Sequence, residues 1–232
     1  MNEKILRLGL IGKDVSQSQS ERIHAFILKE LGVECEYERF SVAMDDFDNA
    51  MRRLLGDFDG FNVTIPYKTT VIPHLAHISE QAKMIGAVNT VVNREGELWG
   101  YNTDFYGMTS LIHHAGVSLK GKKVAILGTG GTSKTAYAVA KAEGASSIIK
   151  VSRSGKDSAV TYEELYEKHR DTEIIINTTP VGMFPNIFGK AVDISAFKSL
   201  SGVFDAIYNP LRSEMISDAK SLGIPCEGGL YM

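Results

Sequence analysis

The chain has 232 residues, 44% of them hydrophobic and 23% charged, which is enough apolar content to bury a core in one large domain or two small ones. This composition excludes a disordered chain, a collagen-like repeat and a disulfide-stapled miniprotein. Lysine and arginine total 25 against 28 acidic residues, and a net charge of −3 argues against a nucleic-acid or polyanion binder.

Short runs rich in β-formers alternate with helix-period stretches from end to end, which predicts an α/β fold. Ile5 to Ile11 reads as a buried strand and Ser20 to Leu31 as an amphipathic helix stopped by Gly32. Glu34 to Val42 follows as a strand, Asp45 to Leu55 as a helix capped by its own aspartates, and Phe58 to Ile65 as a third strand. A turn at Pro66 leads to Lys68, then to short helices and the strands Val88 to Asn93 and Leu98 to Tyr101. A helix from Thr103 to Gly116 precedes the strand Lys123 to Leu127, a glycine cluster and a helix from Lys134 to Glu143. Strands at Ser147 to Ser152, Glu173 to Ile176 and Gly202 to Ala206 complete the series. A fresh strand–glycine–helix unit starts after the Gly116–Gly121 turn, so the expected domains are 1–103 and 104–232, with the helix after residue 103 as the hinge.

No apolar run reaches the ~18 residues that a membrane span needs. The stretch from Met1 to Leu8 is too charged, and too short in its apolar part, for a signal peptide. Cys35 and Cys226 have no ligand-like companions and read as free thiols of a reducing compartment. The expected setting is the cytoplasm, with no membrane or nucleic-acid partner.

The segment from Lys123 to Ser133 is a buried strand entering Gly128-Thr129-Gly130-Gly131-Thr132 and then a helix. Glycines let a backbone approach a pyrophosphate, and free N–H groups at a helix N-terminus meet its charge. The pattern is G-x-G-G, with Ser133 where a third glycine would stand. Taken alone it is also compatible with a plain tight turn; its place in a βαβ unit favours dinucleotide binding. After the next strand, an NAD enzyme usually offers an acid to the ribose hydroxyl. Here Ser152-Arg153-Ser154-Gly155-Lys156 comes first, and no acid stands before Asp157. A guanidinium forks onto phosphate, so Arg153 points to a 2′-phosphate and NADP, against the alternative of a solvated surface arginine.

In the first half, Asn62-Val63-Thr64-Ile65-Pro66-Tyr67-Lys68, Ile85-Gly86-Ala87-Val88-Asn89-Thr90 and Gly100-Tyr101-Asn102-Thr103-Asp104 place Lys, Asn and Asp at strand ends. Lysine beside aspartate is a workable proton-transfer pair for oxidising an alcohol, although Asn and Asp also suit ordinary turns.

These three segments resemble the shikimate dehydrogenase family, whose patterns read N-V-T-I-P-Y-K, I-G-A-V-N-T and G-x-N-T-D. The resemblance continues through the G-x-G-G loop, Ile176 to Met183, Asp205 to Pro210 and Glu227 to Met232, and so covers essentially the whole chain. It implies an N-terminal α/β substrate domain and a C-terminal Rossmann-like NADP-binding domain. The implied reaction is reversible NADP-linked oxidation of the C3 hydroxyl of shikimate to 3-dehydroshikimate. Lys68 would exchange the proton, paired with Asp104. Ser18 and Ser20 match the family's S-x-S for the substrate carboxylate; Thr64, Asn89, Asp104 and Tyr208 match positions that hold ring hydroxyls. Gly128, Thr129, Gly130, Gly131 and Thr132 match the diphosphate loop, Ser152, Arg153 and Ser154 match N-R-T, and Lys156 adds a second cation. Glu80, Ala206 and Gly229 match positions near the cofactor.

The segment from Asp14 to Glu21 keeps S-x-S but lacks the prolines and histidine that commonly surround it. The family's glycine pair is followed by M-L-x-x-Q and a helix returning to the first domain, whereas this chain stops at Met232. Either the chain is a fragment or the segment is lacking, and the expectation is poorer shikimate affinity and thermal stability than in a chain extended by it. His74, His77 and Glu80 at helical spacing, and the pair His113-His114, invite a metal reading that no second cluster supports. His24 reads as a locally bonded residue, and Trp99 as core or cleft wall. A quinate or aminoshikimate dehydrogenase paralogue and a non-catalytic dinucleotide-binding paralogue are the alternatives. Oligomeric state is left open, with a homodimer as the candidate.

Overall fold

The computed structural model describes residues 5–16, 18–156 and 158–232; Met1 to Lys4, Gln17 and Asp157 lie outside the described residues. The chain divides into two compact units, Met1–Thr103 and Asp104–Met232.

The first unit is built on a six-stranded sheet. Its strands are β1 (Leu6–Gly12), β2 (Cys35–Ser41), β3 (Gly60–Val63), β4 (His77–Ile78), β5 (Thr90–Arg94) and β6 (Glu97–Tyr101), in the order β2-β1-β3-β5-β6-β4. β1 is parallel to β2 and β3, whereas β5 runs antiparallel to both β3 and β6. The two consecutive strands expected at Val88 to Asn93 and Leu98 to Tyr101 form the β5–β6 hairpin, with β5 starting at Thr90 and β6 at Glu97. Its two-residue turn places both Glu95 and Gly96 at positive φ, 56° and 93°, the backbone that suits the twist of a tight hairpin.

Helix α1 (Ser20–Glu30) buries none of its residues; Ile23, Phe26 and Ile27 are exposed along it. Helix α2 (Phe47–Asp57) buries Phe47, Met51 and Leu54, an i, i+4, i+7 stripe facing Phe61, Val63, Tyr67, Val88 and Val91. The expected aspartate cap is corrected: residues Met44–Asp46 form a 3₁₀ turn, and Asp46 makes no side-chain capping bond. Packing of the apolar stripe, not the cap, sets this helix. α3 (Glu80–Ile85) is capped by Ser79, whose side chain accepts from the Ala82 N–H at 3.2 Å.

The second unit is a five-stranded, wholly parallel sheet with helices on both faces. Its strands are β7 (Lys123–Leu127), β8 (Ser147–Val151), β9 (Ile174–Asn177), β10 (Gly202–Asp205) and β11 (Cys226–Gly228), in the order β11-β10-β9-β7-β8. Successive strand residues point to opposite faces. Val124, Ile126, Ile174 and Ile176 pack with α4 (Asp104–His114) and α5 (Gly131–Ala142), while Ala125, Leu127, Ile175 and Val203 pack with α6 (Tyr162–Lys168) and α7 (Glu214–Ser221). Burial on both faces is why these strands read as unbroken apolar runs. The fold is α/β, with this second unit Rossmann-like. No helix among the described residues is long and apolar enough to cross a membrane.

Helix α5 begins at Gly131, three residues before the expected Lys134, so the glycine cluster itself supplies the first turn. The histidine reading is also corrected. His74 ends a 3₁₀ turn and lies 3.3 Å from the Asp48 carboxylate, whereas His77 sits in β4, 3.2 Å from Glu97 and stacked on Trp99. The two histidines therefore do not share a helix face. His24 bonds locally through Nδ1 to the Ser20 carbonyl at 2.8 Å.

Candidate active site

In the first unit, the three motifs of the first half form one hydrogen-bonded knot. The Val88 N–H donates to the Lys68 carbonyl at 2.7 Å, which fixes the backbone from which the half-buried lysine projects. The Asn102 side chain donates to the Ala87 carbonyl at 2.9 Å. The Thr103 N–H donates to Asn89 Oδ1 at 2.9 Å, and Asn89 Nδ2 donates to Thr103 Oγ1 at 2.9 Å. Asn89 is also held through its main chain, donating to the Tyr101 carbonyl at 3.0 Å and accepting from the Val63 N–H at 2.8 Å. Asp104, half-buried, follows Thr103 by one peptide bond and opens α4. Two consecutive residues, Val88 and Asn89, thus anchor both the lysine turn and the chain that delivers the aspartate.

Ser18, Ser20 and Thr64 line one cleft of about 290 Å³ together with Asp14 and Ser16. Ser18 Oγ donates to Ser20 Oγ at 3.1 Å and accepts the Ser20 N–H at 3.2 Å. The Ser16 N–H, 3.0 Å from Asp14, holds that carboxyl below the usual carboxylate range. Asp14 therefore brings an ionised group to the lining of this cleft. Thr64 is set by its N–H, which donates to the Ile11 carbonyl at 2.9 Å.

Sequence reasoning missed Tyr37, Asn62, Thr90 and Thr103. The Tyr37 phenol donates to Asn62 Oδ1 at 2.9 Å, and the Thr90 hydroxyl donates to Asn89 Oδ1 at 3.0 Å. Asn62, Thr90 and Thr103 stand inside the motifs of the first half and could have been found there. Tyr37 lies in a plain strand, and only the sheet register brings it near.

In the second unit, Gly128, Thr129, Gly130, Ser152 and Arg153 line a cleft of about 470 Å³, with Tyr162, Lys190 and residues Thr178 to Val181 as further walls. Gly128 has φ +107°, and a Cβ there would lie 2.9 Å from Thr178 Oγ1, so the position requires glycine. The helix behind it has a glycine N-cap with no side-chain bond, leaving its first N–H groups for a ligand. This open cradle and the exposed Arg153 guanidinium fit a dinucleotide carrying an extra phosphate.

Gly131 and Thr132 form the start of α5, and Ser154 and Lys156 are in the turn after β8; these four lie outside the cleft lining. Ala206, Tyr208 and Gly229 sit on the segments following β10 and β11. The Gly229 N–H donates to the Ile207 carbonyl at 2.9 Å, and a Cβ on Gly229 would run into the Ala206 carbonyl. Tyr208 is 65% exposed. Glu80 belongs to the first unit, at the start of α3, where it pairs with Lys83 at 2.9 Å.

Behind these segments lies a buried polar cluster. Asp205 Oδ1 accepts from Asn177 Nδ2 and the Ile207 N–H, each at 3.0 Å, and Oδ2 accepts from Ser213 Oγ at 2.6 Å. Asn177 Oδ1 accepts from Thr179 N and Oγ1 at 3.0 and 2.7 Å. Burial pushes the Asp205 carboxyl up, against the three donors that favour its charged form. The cluster ties the loop after β9, which walls the cleft, to the segment carrying Ala206 and Tyr208.

The family description "Shikimate dehydrogenase substrate binding domain" matches residues 10–91. A shikimate dehydrogenase (NADP(+)) of Clostridium perfringens is 37% identical over 236 residues, covering 97% of this chain and 86% of that protein. The crystal structure of shikimate dehydrogenase 1 from Peptoclostridium difficile is 36% identical, with TM-score 0.79 over 98% of this chain and 87% of the other. That of the Thermus thermophilus enzyme in complex with NADP(H) and shikimate is 28% identical, with TM-score 0.84 over 98% and 88%.

Substituting Asp205→Ala strands three donors around a buried site. Unfolding in urea is expected to show a loss of about 1–3 kcal/mol, accompanied by weaker NADP binding in a calorimetric titration.

Proposed function

The chain belongs to the shikimate dehydrogenase family, and from that premise we propose how its own residues carry out NADP-dependent, reversible oxidation of shikimate to 3-dehydroshikimate. The observation that carries the reading is the double anchorage by Val88 and Asn89, which holds the Lys68 carbonyl at 2.7 Å and the Thr103 N–H at 2.9 Å. A proton-transfer pair needs both members on rigid backbone, because misplacement of a reacting group by an ångström is costly in rate.

The bound cofactor supplies the hydride acceptor at its nicotinamide ring. As hydride leaves the ring carbon, the hydroxyl must lose its proton, and Lys68 Nζ exchanges it while Asp104 holds the same hydroxyl. Asn89 and Thr64 hold the neighbouring ring hydroxyls, and Ser18 and Ser20 donate to the carboxylate. Tyr208 matches a position that holds a ring hydroxyl in the family pattern. A neutral polyhydroxylated ring calls for many short polar side chains, and these residues supply them.

Gly128, Thr129, Gly130, Gly131 and Thr132 receive the diphosphate on backbone N–H groups. Arg153 takes the 2′-phosphate, flanked by the hydroxyls of Ser152 and Ser154 and by Lys156. Ala206, Gly229 and Glu80 match positions near the cofactor in the family pattern. We place the enzyme in the cytoplasm, in keeping with free thiols at Cys35 and Cys226.

Lys68→Ala is expected to lower kcat at least ~10²-fold while KM moves little; near-normal turnover would remove Lys68 from the mechanism. Arg153→Ala should weaken NADP binding by about 1.5–3 kcal/mol, roughly one to two decades. Unchanged affinity in a titration of that variant would place the 2′-phosphate elsewhere, with Lys156 the first candidate.

A further inference from the structure

The segment that carries Ser18 and Ser20 has weak anchors of the ordinary kinds. Helix α1, which follows it, buries none of its residues, and its N-cap, Gln19, makes no side-chain capping bond. No proline restricts the backbone between Lys13 and Gln19. Two hydroxyls on an unrestrained chain would have to be ordered at each binding event, at a cost in affinity.

The edge strand β2 supplies what packing does not. Its alternate residues share a face, and the parallel register sets Arg39 beside Leu10 and Ser41 beside Gly12, where β1 gives way to the loop. Ser41 Oγ accepts the N–H of the buried Val15 at 3.3 Å. Arg39 reaches further along. Its Nη1 donates to the Ser16 carbonyl at 3.0 Å, and its Nε lies 3.1 Å from Glu21 Oε2. The Ser16 N–H donates to Asp14 at 3.0 Å, so Ser16 is fixed through both of its backbone groups.

Ser16 precedes Ser18, and Glu21 follows Ser20 in the first turn of α1. One planar guanidinium therefore grips the chain on both sides of the serine pair. The Arg39 and Glu21 side chains are 41% and 46% exposed, so their ion pair contributes little to overall stability. Its consequence is geometric. Arg39 is not among the residues that line the cleft with Ser18, Ser20 and Thr64, and it acts on a ligand there through the loop.

We propose that Arg39 is a substrate-positioning residue, clamping the loop at Ser16 and Glu21 so that the Ser18 and Ser20 hydroxyls stand ready for a carboxylate. The proposal rests on the shikimate reading above and deepens it. A small ring acid entering this cleft depends on the clamp, whereas NADP, assigned to the second unit, does not.

The test is steady-state kinetics on the full chain for wild type, Arg39→Ala, Arg39→Lys, Glu21→Ala and the double alanine variant, with Tm recorded for each. Arg39→Ala should raise shikimate KM about three- to tenfold, the range of one net hydrogen bond, with kcat and NADP KM unchanged within about twofold. Glu21→Ala releases one end and should raise shikimate KM about two- to threefold. The double variant should rise no further than Arg39→Ala alone, because Glu21 acts through the guanidinium. Arg39→Lys should not restore the wild-type value, since an ammonium is a point donor without the rigid fork. Should Arg39→Ala fail to fold, Glu21→Ala and Arg39→Lys carry the same decision. An unchanged shikimate KM in either single alanine variant, full recovery in Arg39→Lys, or effects that multiply in the double variant would overturn the clamp while leaving the enzyme's function standing. A parallel rise in shikimate and NADP KM with a fall in Tm would overturn it too, as a general loosening of the fold. A wild-type chain that binds NADP but does not oxidise shikimate would overturn the parent reading and the clamp with it.

Discussion

The first unit depends on the hydrogen bonding of Asn89. A buried carboxamide must find partners for its oxygen and nitrogen or forfeit their hydration. Asn89, 7% exposed, finds both in Thr103, while its main chain is shared between Tyr101 and Val63. One residue thus joins three sequence segments that lie far apart in the chain. Replacing it by an apolar residue of similar size would leave the Thr103 N–H unpaired and free the chain that leads to Asp104. The site's geometry is therefore a consequence of satisfying buried polar groups, and Lys68 and Asp104 are carried on backbone that the fold must hold in place for its own stability.

Asp205 performs the equivalent service in the second unit. Three donors converge on a carboxyl with 0% exposure, and through Asn177 they fix the loops after β9 and β10. Such a cluster stabilises only when complete, because each member left unpaired at low dielectric costs more than a neutral pair contributes. Both units follow the same plan: apolar strands and helices form the scaffold, and a small buried polar group at the strand ends ties the adjoining loops together.

Much of this was legible in the sequence, for identifiable reasons. The parallel strands of the second unit, such as Lys123–Leu127, are buried on both faces and announce themselves as apolar runs. The glycine loop was visible because backbone approach to a phosphate demands glycine, and Gly128 sits at a φ that other residues avoid. What escaped were short or weakly patterned elements. The strands His77–Ile78 and Cys226–Gly228 are held by their neighbours in the sheet, not by any propensity of their own. The helices Tyr162–Lys168 and Glu214–Ser221 are short, although the capping box of Thr161 and Glu164 was available as a signal for the first. Tyr37 could not be found at all, since strand register, a long-range property, is what brings it to Asn62. The histidine spacing misled because i, i+3 implies a shared face only if a helix is present.

The reading proposed above assigns the polar first-unit site to shikimate and the Arg153-bearing cleft to NADP. The most direct measurement is the initial rate of nicotinamide reduction for shikimate and for quinate, each with NADP and with NAD, on the wild-type chain. The highest kcat/KM is expected for shikimate with NADP, with the NAD pairing lower by about one to two decades for want of the phosphate contact. Preference for quinate, equal use of NAD, or NADP binding without turnover would contradict it.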